Sequence, residues 1–220
     1  MAKRTILHID SSARVARSHS RRLSKLFVDA WLTERGQDDV IYRDVGTNPP
    51  PFMTQNWIAA AFTRPEARSE AMKATLAFSD ELIDEIEKAD VIVLGAPMYN
   101  YNMPAALKAW FDQIARIGRT FSFDLERGDF PIEPILGGKT LVVLSSRGEF
   151  GFEDGVRRHM NALDPGIAAC AHYLGASEIH TISAEFEEFG GERRAKSVEA
   201  AEAKAKALAS SIASVLKAAA

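Results

Sequence analysis

Six consecutive residues without a polar side chain, Val91-Ile92-Val93-Leu94-Gly95-Ala96, run straight into Pro97-Met98-Tyr99-Asn100-Tyr101-Asn102-Met103-Pro104. A segment this short, apolar at every position and rich in branched side chains, fits a strand covered on both faces. Strands of that kind belong to parallel sheets, whose crossovers are helices. A new helical pattern then starts at Pro104-Ala105-Ala106-Leu107-Lys108, as expected where proline opens a helix. In an open parallel sheet, ligands sit just beyond the carboxyl ends of the strands. Residues 97–104 therefore stand where a flat molecule would meet an aromatic ring, a side-chain amide and free backbone N–H groups.

Four other short segments read as strands: 5–9, 40–44 (the least regular), 140–145 and 178–183. Helical spacing separates them, with Leu23, Leu26, Phe27, Ala30 and Trp31 on one stripe and Met72, Leu76, Leu82, Ile83 and Ile86 on another. The alternation predicts right-handed βαβ units, an α/β protein with a doubly wound five-stranded parallel sheet. Residues 193–220 predict one alanine-rich helix with Val198, Ala205, Leu208, Ile212, Val215 and Leu216 on its apolar stripe. Pro49, Pro50 and Pro51 make 48–52 a rigid extended connection. Residues 119–138, with three glycines and two prolines, form a long loop suited to a flap or a partner contact. With no repeat and no linker, residues 1–220 read as a single domain.

The balance of 27 basic against 30 acidic side chains argues against a polyanion such as nucleic acid as partner. Cys170 is the only cysteine, so no intrachain disulfide forms and a reducing cytoplasm is the expected compartment. No window reaches the roughly 18 apolar residues of a membrane span, and the first ten residues lack the apolar core of a signal peptide. His8, His159, His172 and His180 show no metal-ligand spacing and read as structural. Cys170 and His172 are two apart on an apolar helical stretch and face apart, so they make no nucleophile–base pair. Glu185, Glu187 and Glu188 read as a solvated turn, Trp31 and Trp57 as core or dimer surface, and Trp110 as core.

The first strand is followed by Asp10-Ser11-Ser12-Ala13-Arg14-Val15-Ala16-Arg17-Ser18-His19-Ser20, with a helix beginning near Ser20. The N–H groups and partial positive charge of a helix start suit a phosphate, and Ser12, Ser18 and Ser20 add hydroxyls, with Arg14 and Arg17 adding charge. Neither a Gly-x-Gly-x-x-Gly fingerprint nor a Walker lysine is present, so a single terminal monophosphate fits better than a pyrophosphate. Ser18 or Ser20 serving only as a helix N-cap explains the same residues equally well. The fourth strand leads into Ser145-Ser146-Arg147-Gly148-Glu149-Phe150-Gly151. The loops after strands one, three and four converge at the switch point of the flavodoxin-like order 2-1-3-4-5. One loop suits phosphate and two suit a flat, hydrogen-bonding ring, which is the shape of FMN.

These three segments, in this order, resemble the FMN-binding motifs of the FMN-dependent NADH-azoreductase family, which is related to bacterial quinone reductases and was formerly labelled acyl carrier protein phosphodiesterase. The resemblance implies that Ser12, Ser18, His19 and Ser20 hold the phosphate and ribityl end. It implies that Met98, Tyr99, Asn100 and Tyr101 hold the isoalloxazine, with Asn100 near its N5/O4 edge, and that Ser146, Arg147 and Gly148 line the pyrimidine side. Tyr101 stands where the family often has Phe. Glu149 stands where a second glycine is common, and it either points to solvent or lowers the flavin potential. The implied activity is hydride transfer from NADH or NADPH through FMN to quinones and azo dyes, by a ping-pong mechanism without a catalytic protein side chain. Phe121, Phe150 and Phe152 are candidate walls of the acceptor pocket. The implied assembly is a homodimer with each flavin near the interface. A non-catalytic flavodoxin-like electron carrier is the alternative, although such carriers are usually smaller and strongly acidic. A phosphodiester hydrolase would need a metal cluster or an activated nucleophile, and the sequence offers neither.

Overall fold

Along β3 (Val91–Pro97) every residue is buried, because both faces of this strand carry a helical layer. In the computed structural model, which describes residues 3–218, β3 is the middle strand of a five-stranded sheet. Its neighbours are β1 (Thr5–Asp10) and β6 (Lys139–Ser146), and the edges are β2 (Asp39–Asp44) and β7 (Ala176–Ala184), all in parallel pairs. The order β2-β1-β3-β6-β7 is the expected 2-1-3-4-5, because β4 (Phe121–Phe123) and β5 (Ile132–Pro134) form a separate antiparallel ribbon within the 119–138 segment.

Alternate residues of the central strands feed two cores, as the two-residue period of a strand requires. Leu7, Ile9, Ile92, Leu94, Leu141 and Val143 face one layer, packed with α3 (Glu70–Lys88), α4 (Ala105–Ile114) and α5 (Leu163–Ala171). Ile6, Val91, Val93, Val142 and Leu144 face the other, packed with α1 (His19–Glu34) and α6 (Gly191–Ala218). The irregular 40–44 segment is explained by its position, since β2 is an edge strand with no fully buried residue.

Several expectations are refined. Ala201, Ala205, Ala209 and Ala213 form the buried seam of α6. Small side chains four apart let α6 lie close on α1, and that seam turns Val215 outward, 65% exposed. Residues 219–220 of the expected tail helix lie outside the described residues. The helix α2 (Gln55–Phe62) is too short for a periodicity signal and buries only Trp57, Ala60 and Ala61. Trp31 and Trp110 are fully buried, and Trp31 Nε1 donates to Asp38 Oδ2 at 2.9 Å. Among the described residues no helix is long and apolar enough to cross a membrane, and no group of three His, Cys, Asp or Glu side chains is placed to hold a metal.

At the end of β1, Asp10 pairs in register with Gly95 of β3. A methyl on Gly95 would lie 2.4 Å from Asp10 Oδ1 and 3.0 Å from Ser24 Oγ, and both atoms are buried and bonded to each other at 2.7 Å. Gly95→Ala therefore forces the Asp10 carboxylate out of place, and urea denaturation is expected to show a loss of about 2 kcal/mol.

Candidate functional site

Because β1, β3 and β6 run parallel in tight register, their carboxyl ends release three loops on one rim. The loops enclose a cavity of about 290 Å³ lined by Ser12, Ser18, His19, Met98, Tyr99, Ser146, Arg147 and Gly148, with Arg14 and Arg17 also facing it. A second cavity of about 300 Å³ is lined by Met98, Asn100, Tyr101, Gly148, Glu149 and Phe152. The two share Met98 and Gly148 and form one cleft, polar at the β1 end and aromatic at the other. Of the twelve residues singled out in the sequence, only Ser20 is absent from the lining. It is fully buried, its hydroxyl 3.3 Å from that of Ser18. A larger cavity of about 420 Å³ lies between α5 and β7, with Phe152 lining both it and the cleft.

The β1–α1 loop is braced from behind. Ser18 caps α1, its hydroxyl accepting from Arg21 N–H. Arg21 donates to the carbonyl of Ser12 at 2.6 Å through Nη2, to the carbonyl of Arg14 at 2.9 Å through Nε, and to both oxygens of Asp44. Tyr42 donates to Asp10 at 3.1 Å. Burial, reinforced by the charge of Asp10, pushes this phenol up to about 12, so it stays protonated and donating. The Ser12 and Tyr99 hydroxyls lie 3.4 Å apart, so the first and second loops touch.

The second loop is a two-residue turn. Tyr99 and Asn102 exchange backbone hydrogen bonds at 2.9 and 3.0 Å, with Asn100 at φ 48° and Tyr101 at φ 67° between them. Two positive φ values at the centre define a type I′ turn. Asparagine accepts this backbone readily, and tyrosine does so at a cost of about 1 kcal/mol or more. Among the described residues, the non-glycine positions with positive φ are Arg17, Asn100, Tyr101 and Phe186. All four stand in loops that border the cleft. Strain confined to one rim is the usual mark of a working site.

In the third loop, Arg147 does something other than face a ligand with its charge. Its guanidinium is completely buried, with Nη2 bonded to both oxygens of Asp164 at 2.7 and 3.0 Å. Asn161 donates to Asp164 and to the Phe152 carbonyl, and the neighbouring Ala162 N–H donates to the carbonyl of Tyr101. Residues 161–164 thus tie the second and third loops together. The Arg147 backbone is engaged as well, its N–H donating to the Ala184 carbonyl at 2.8 Å and its carbonyl accepting from Glu187 N–H at 3.2 Å. Among the described residues, the N–H groups of Gly148 and Glu149 and the side-chain amide of Asn100 meet no hydrogen-bond partner. Glu149 neither extends into solvent nor stands alone, because it accepts from Arg157 Nε at 2.8 Å. Phe152 lines the cleft 6.3 Å from the Tyr101 ring. Phe121 packs on Tyr173 and Phe150 stacks on Phe186, so neither of these candidate walls borders it.

Two residues that read as a solvated turn, Glu187 and Glu188, line the cleft as well. They belong to the connection from β7 to α6, a fourth loop delivered by strand order rather than by any motif. Glu187 Oε1 is 3.2 Å from His19 Nε2 and 3.2 Å from Arg194 Nε. Cys170 is half-buried, and burial raises its thiol, as suits a packing residue.

A family model described as a flavodoxin-like fold matches residues 4–209. The FMN-dependent NADH:quinone oxidoreductase 2 of Colwellia psychrerythraea is 52% identical over 202 residues, covering 88% of this chain and 92% of that protein. The protein of the same name from Idiomarina loihiensis is 50% identical over 216 residues, covering 94% and 90%. Among solved structures, an FMN-dependent NADH-azoreductase from Bacillus anthracis in complex with FMN matches with a TM-score of 0.83. That match covers 96% of this chain and 99% of that one at 16% identity, which is a likeness of fold.

The brace behind the first loop has a pH signature. Burial opposes ionisation of Asp44, but hydrogen bonds from Arg21 and Thr47 overcome it and hold the carboxyl at about 2. A carboxyl depressed in the folded state stabilises it above the unfolded value, about 3.9, and loses that contribution as pH falls toward 2. Urea midpoints measured from pH 7 down to pH 2.5 should fall below about pH 4, and should fall less steeply in Asp44→Asn.

Proposed function

Since the chain belongs to the flavodoxin-like family of FMN-dependent NADH:quinone oxidoreductases, we propose that it transfers hydride from NADH or NADPH through FMN to quinones and azo compounds. The observation that carries this reading is the single cleft, polar at one end and aromatic at the other, in which the loops after β1, β3 and β6 meet. The residues fit the cofactor. Unpaired N–H groups at Gly148 and Glu149 and an unpaired amide at Asn100 offer donors to a ring with carbonyl oxygens. The capped start of α1, with the Ser12 and Ser18 hydroxyls, offers donors to a phosphate. FMN, when bound, supplies the redox chemistry, taking two electrons from the nicotinamide and giving them to the acceptor in turn.

The chain's own residues bind and orient. Ser12, Ser18, His19 and the first amides of α1 hold the phosphate and ribityl end, with Ser20 buttressing Ser18 from behind. Met98, Tyr99 and Tyr101 present flat or polarizable surface to the ring. Asn100, fixed by the type I′ turn, would offer its amide to the N5/O4 edge. Ser146, Arg147, Gly148 and Glu149 would line the pyrimidine side, where the free N–H groups of Gly148 and Glu149 would favour developing negative charge. No side chain has to move a proton in this scheme. Donor and acceptor would use the same side of the cleft in turn, for which ping-pong kinetics are the expected signature.

We further propose a homodimer. The β4–β5 ribbon and its flanks expose Phe123, Leu125, Phe130 and Ile135, more apolar surface than one short ribbon usually leaves in water. A lone half-buried cysteine suits a reducing cytoplasm.

The purified protein, reconstituted with FMN, is expected to be yellow, to bleach with NADH under nitrogen, and to recover its colour on adding a quinone. Failure to take up FMN would remove this function. Ser18→Ala combined with Ser20→Ala should weaken FMN binding about tenfold or more in a fluorescence titration, through lost hydrogen bonds to a charged group. The same variant should lose about 1 kcal/mol of stability through the missing cap. An unaltered dissociation constant would place the phosphate elsewhere.

A further inference from the structure

Four carboxylates stand at or beside the cleft, and three of them are matched. Glu149 is bonded to Arg157, and Glu187 is paired with His19 and Arg194. Glu185 accepts from the N–H groups of Gly151 and Phe152 and stands 3.7 Å from Arg147 Nη1. Among the described residues, the carboxylate of Glu188 meets no donor and no cation. It also lies where it matters most. A methyl placed on Gly148 would sit 2.6 Å from Glu188 Oε1 and 2.8 Å from its carboxyl carbon. Glu188 lines both halves of the cleft. Its backbone holds it there, since Glu188 N–H donates to the Gly148 carbonyl at 2.9 Å and Phe186, two residues earlier, takes φ 71°.

We propose that Glu188 sets the redox poise of the bound flavin by holding an uncompensated negative charge against the Gly148 end of the cleft. The proposal rests on the FMN reading above. Reduction by NAD(P)H adds two electrons and one proton to the ring, and so one negative charge, while the donor departs as NAD(P)+. A fixed carboxylate disfavours the more negative state. Reduced FMN then binds less tightly relative to oxidised FMN, and its electrons pass on more readily to the acceptor. The carboxylate is exposed, so added salt screens its effect.

The test is a charge series at one position, Glu188→Gln and Glu188→Lys, in the FMN-loaded protein. The readout is the ratio of dissociation constants for reduced and oxidised FMN, obtained from fluorescence titration of oxidised FMN and from the two-electron midpoint potential against a reference dye. The expected fall in the ratio is roughly tenfold for Gln and a further fold of the same order for Lys, as for one charge in partial contact with water. Each tenfold step raises the potential by about 30 mV for a two-electron couple. The steps should shrink between 0.1 and 1 M salt, and a merely structural role for Glu188 would give neither the gradation nor the salt dependence. Wild-type protein that binds no FMN would overturn the function proposed above. Normal FMN binding with the same ratio in all three proteins would overturn the role of Glu188 alone.

Discussion

The Asp10 carboxylate can sit at the rim of the sheet only because Gly95, its partner in register on β3, has no side chain. From that one accommodation a chain of contacts spreads. Ser24 and Tyr42 donate to Asp10, and Arg21 reaches from α1 to Asp44 and to the carbonyls of Ser12 and Arg14. The result is a loop of serines held by buried polar contacts, without the glycines that a phosphate loop commonly uses. Charges taken partly out of water are costly unless matched. Here Asp10, Arg21 and Asp44 match one another, and the set fixes the loop at the edge where the sheet opens.

The large features were legible because they follow from periodicity. A strand buried on both faces must be apolar throughout, so β3 and β6 announced themselves, and with them the parallel sheet and its 2-1-3-4-5 order. The three loops were legible because each directly follows a readable strand. What escaped the sequence depends on distance along the chain. Glu187 and Glu188 carry no motif, and they reach the cleft only because β7 pairs with β6 and delivers its connection beside Gly148. The Val215 position failed for a similar reason. Hydropathy favours valine over alanine, but the seam between α6 and α1 is set by how close two backbones come, and alanine wins that contest.

Arg147 illustrates how a residue can border the cleft without aiming its charge into it. An arginine in a ligand loop invites the thought of a charge aimed at the ligand. Its guanidinium is instead enclosed, doubly bonded to Asp164, and the same segment secures Tyr101 through Ala162. Both bonds to Asp164 leave from Nη2 while Nε donates to Ser145 Oγ at 3.3 Å, so arginine ties two partners where lysine would offer a single nitrogen. Charge spent in this way leaves the ring surface of the cleft to backbone amides, one side-chain amide and aromatic faces.

That economy of charge explains why the cleft is strained. A ring bound mainly by backbone dipoles needs those dipoles oriented beforehand, since amides that had to reorganise on binding would return much of their advantage. Orientation is achieved by backbone angles that ordinary residues resist, at Arg17, Asn100, Tyr101 and Phe186. The braces at Arg21, at Arg147–Asp164 and at the Tyr99–Asn102 turn are what hold those angles in place. Strain and brace are therefore two sides of one arrangement. At the Gly148 end of the cleft, where backbone amides stand in place of a bonded cation, the carboxylate of Glu188 is the one among its described neighbours without a partner within ion-pair distance.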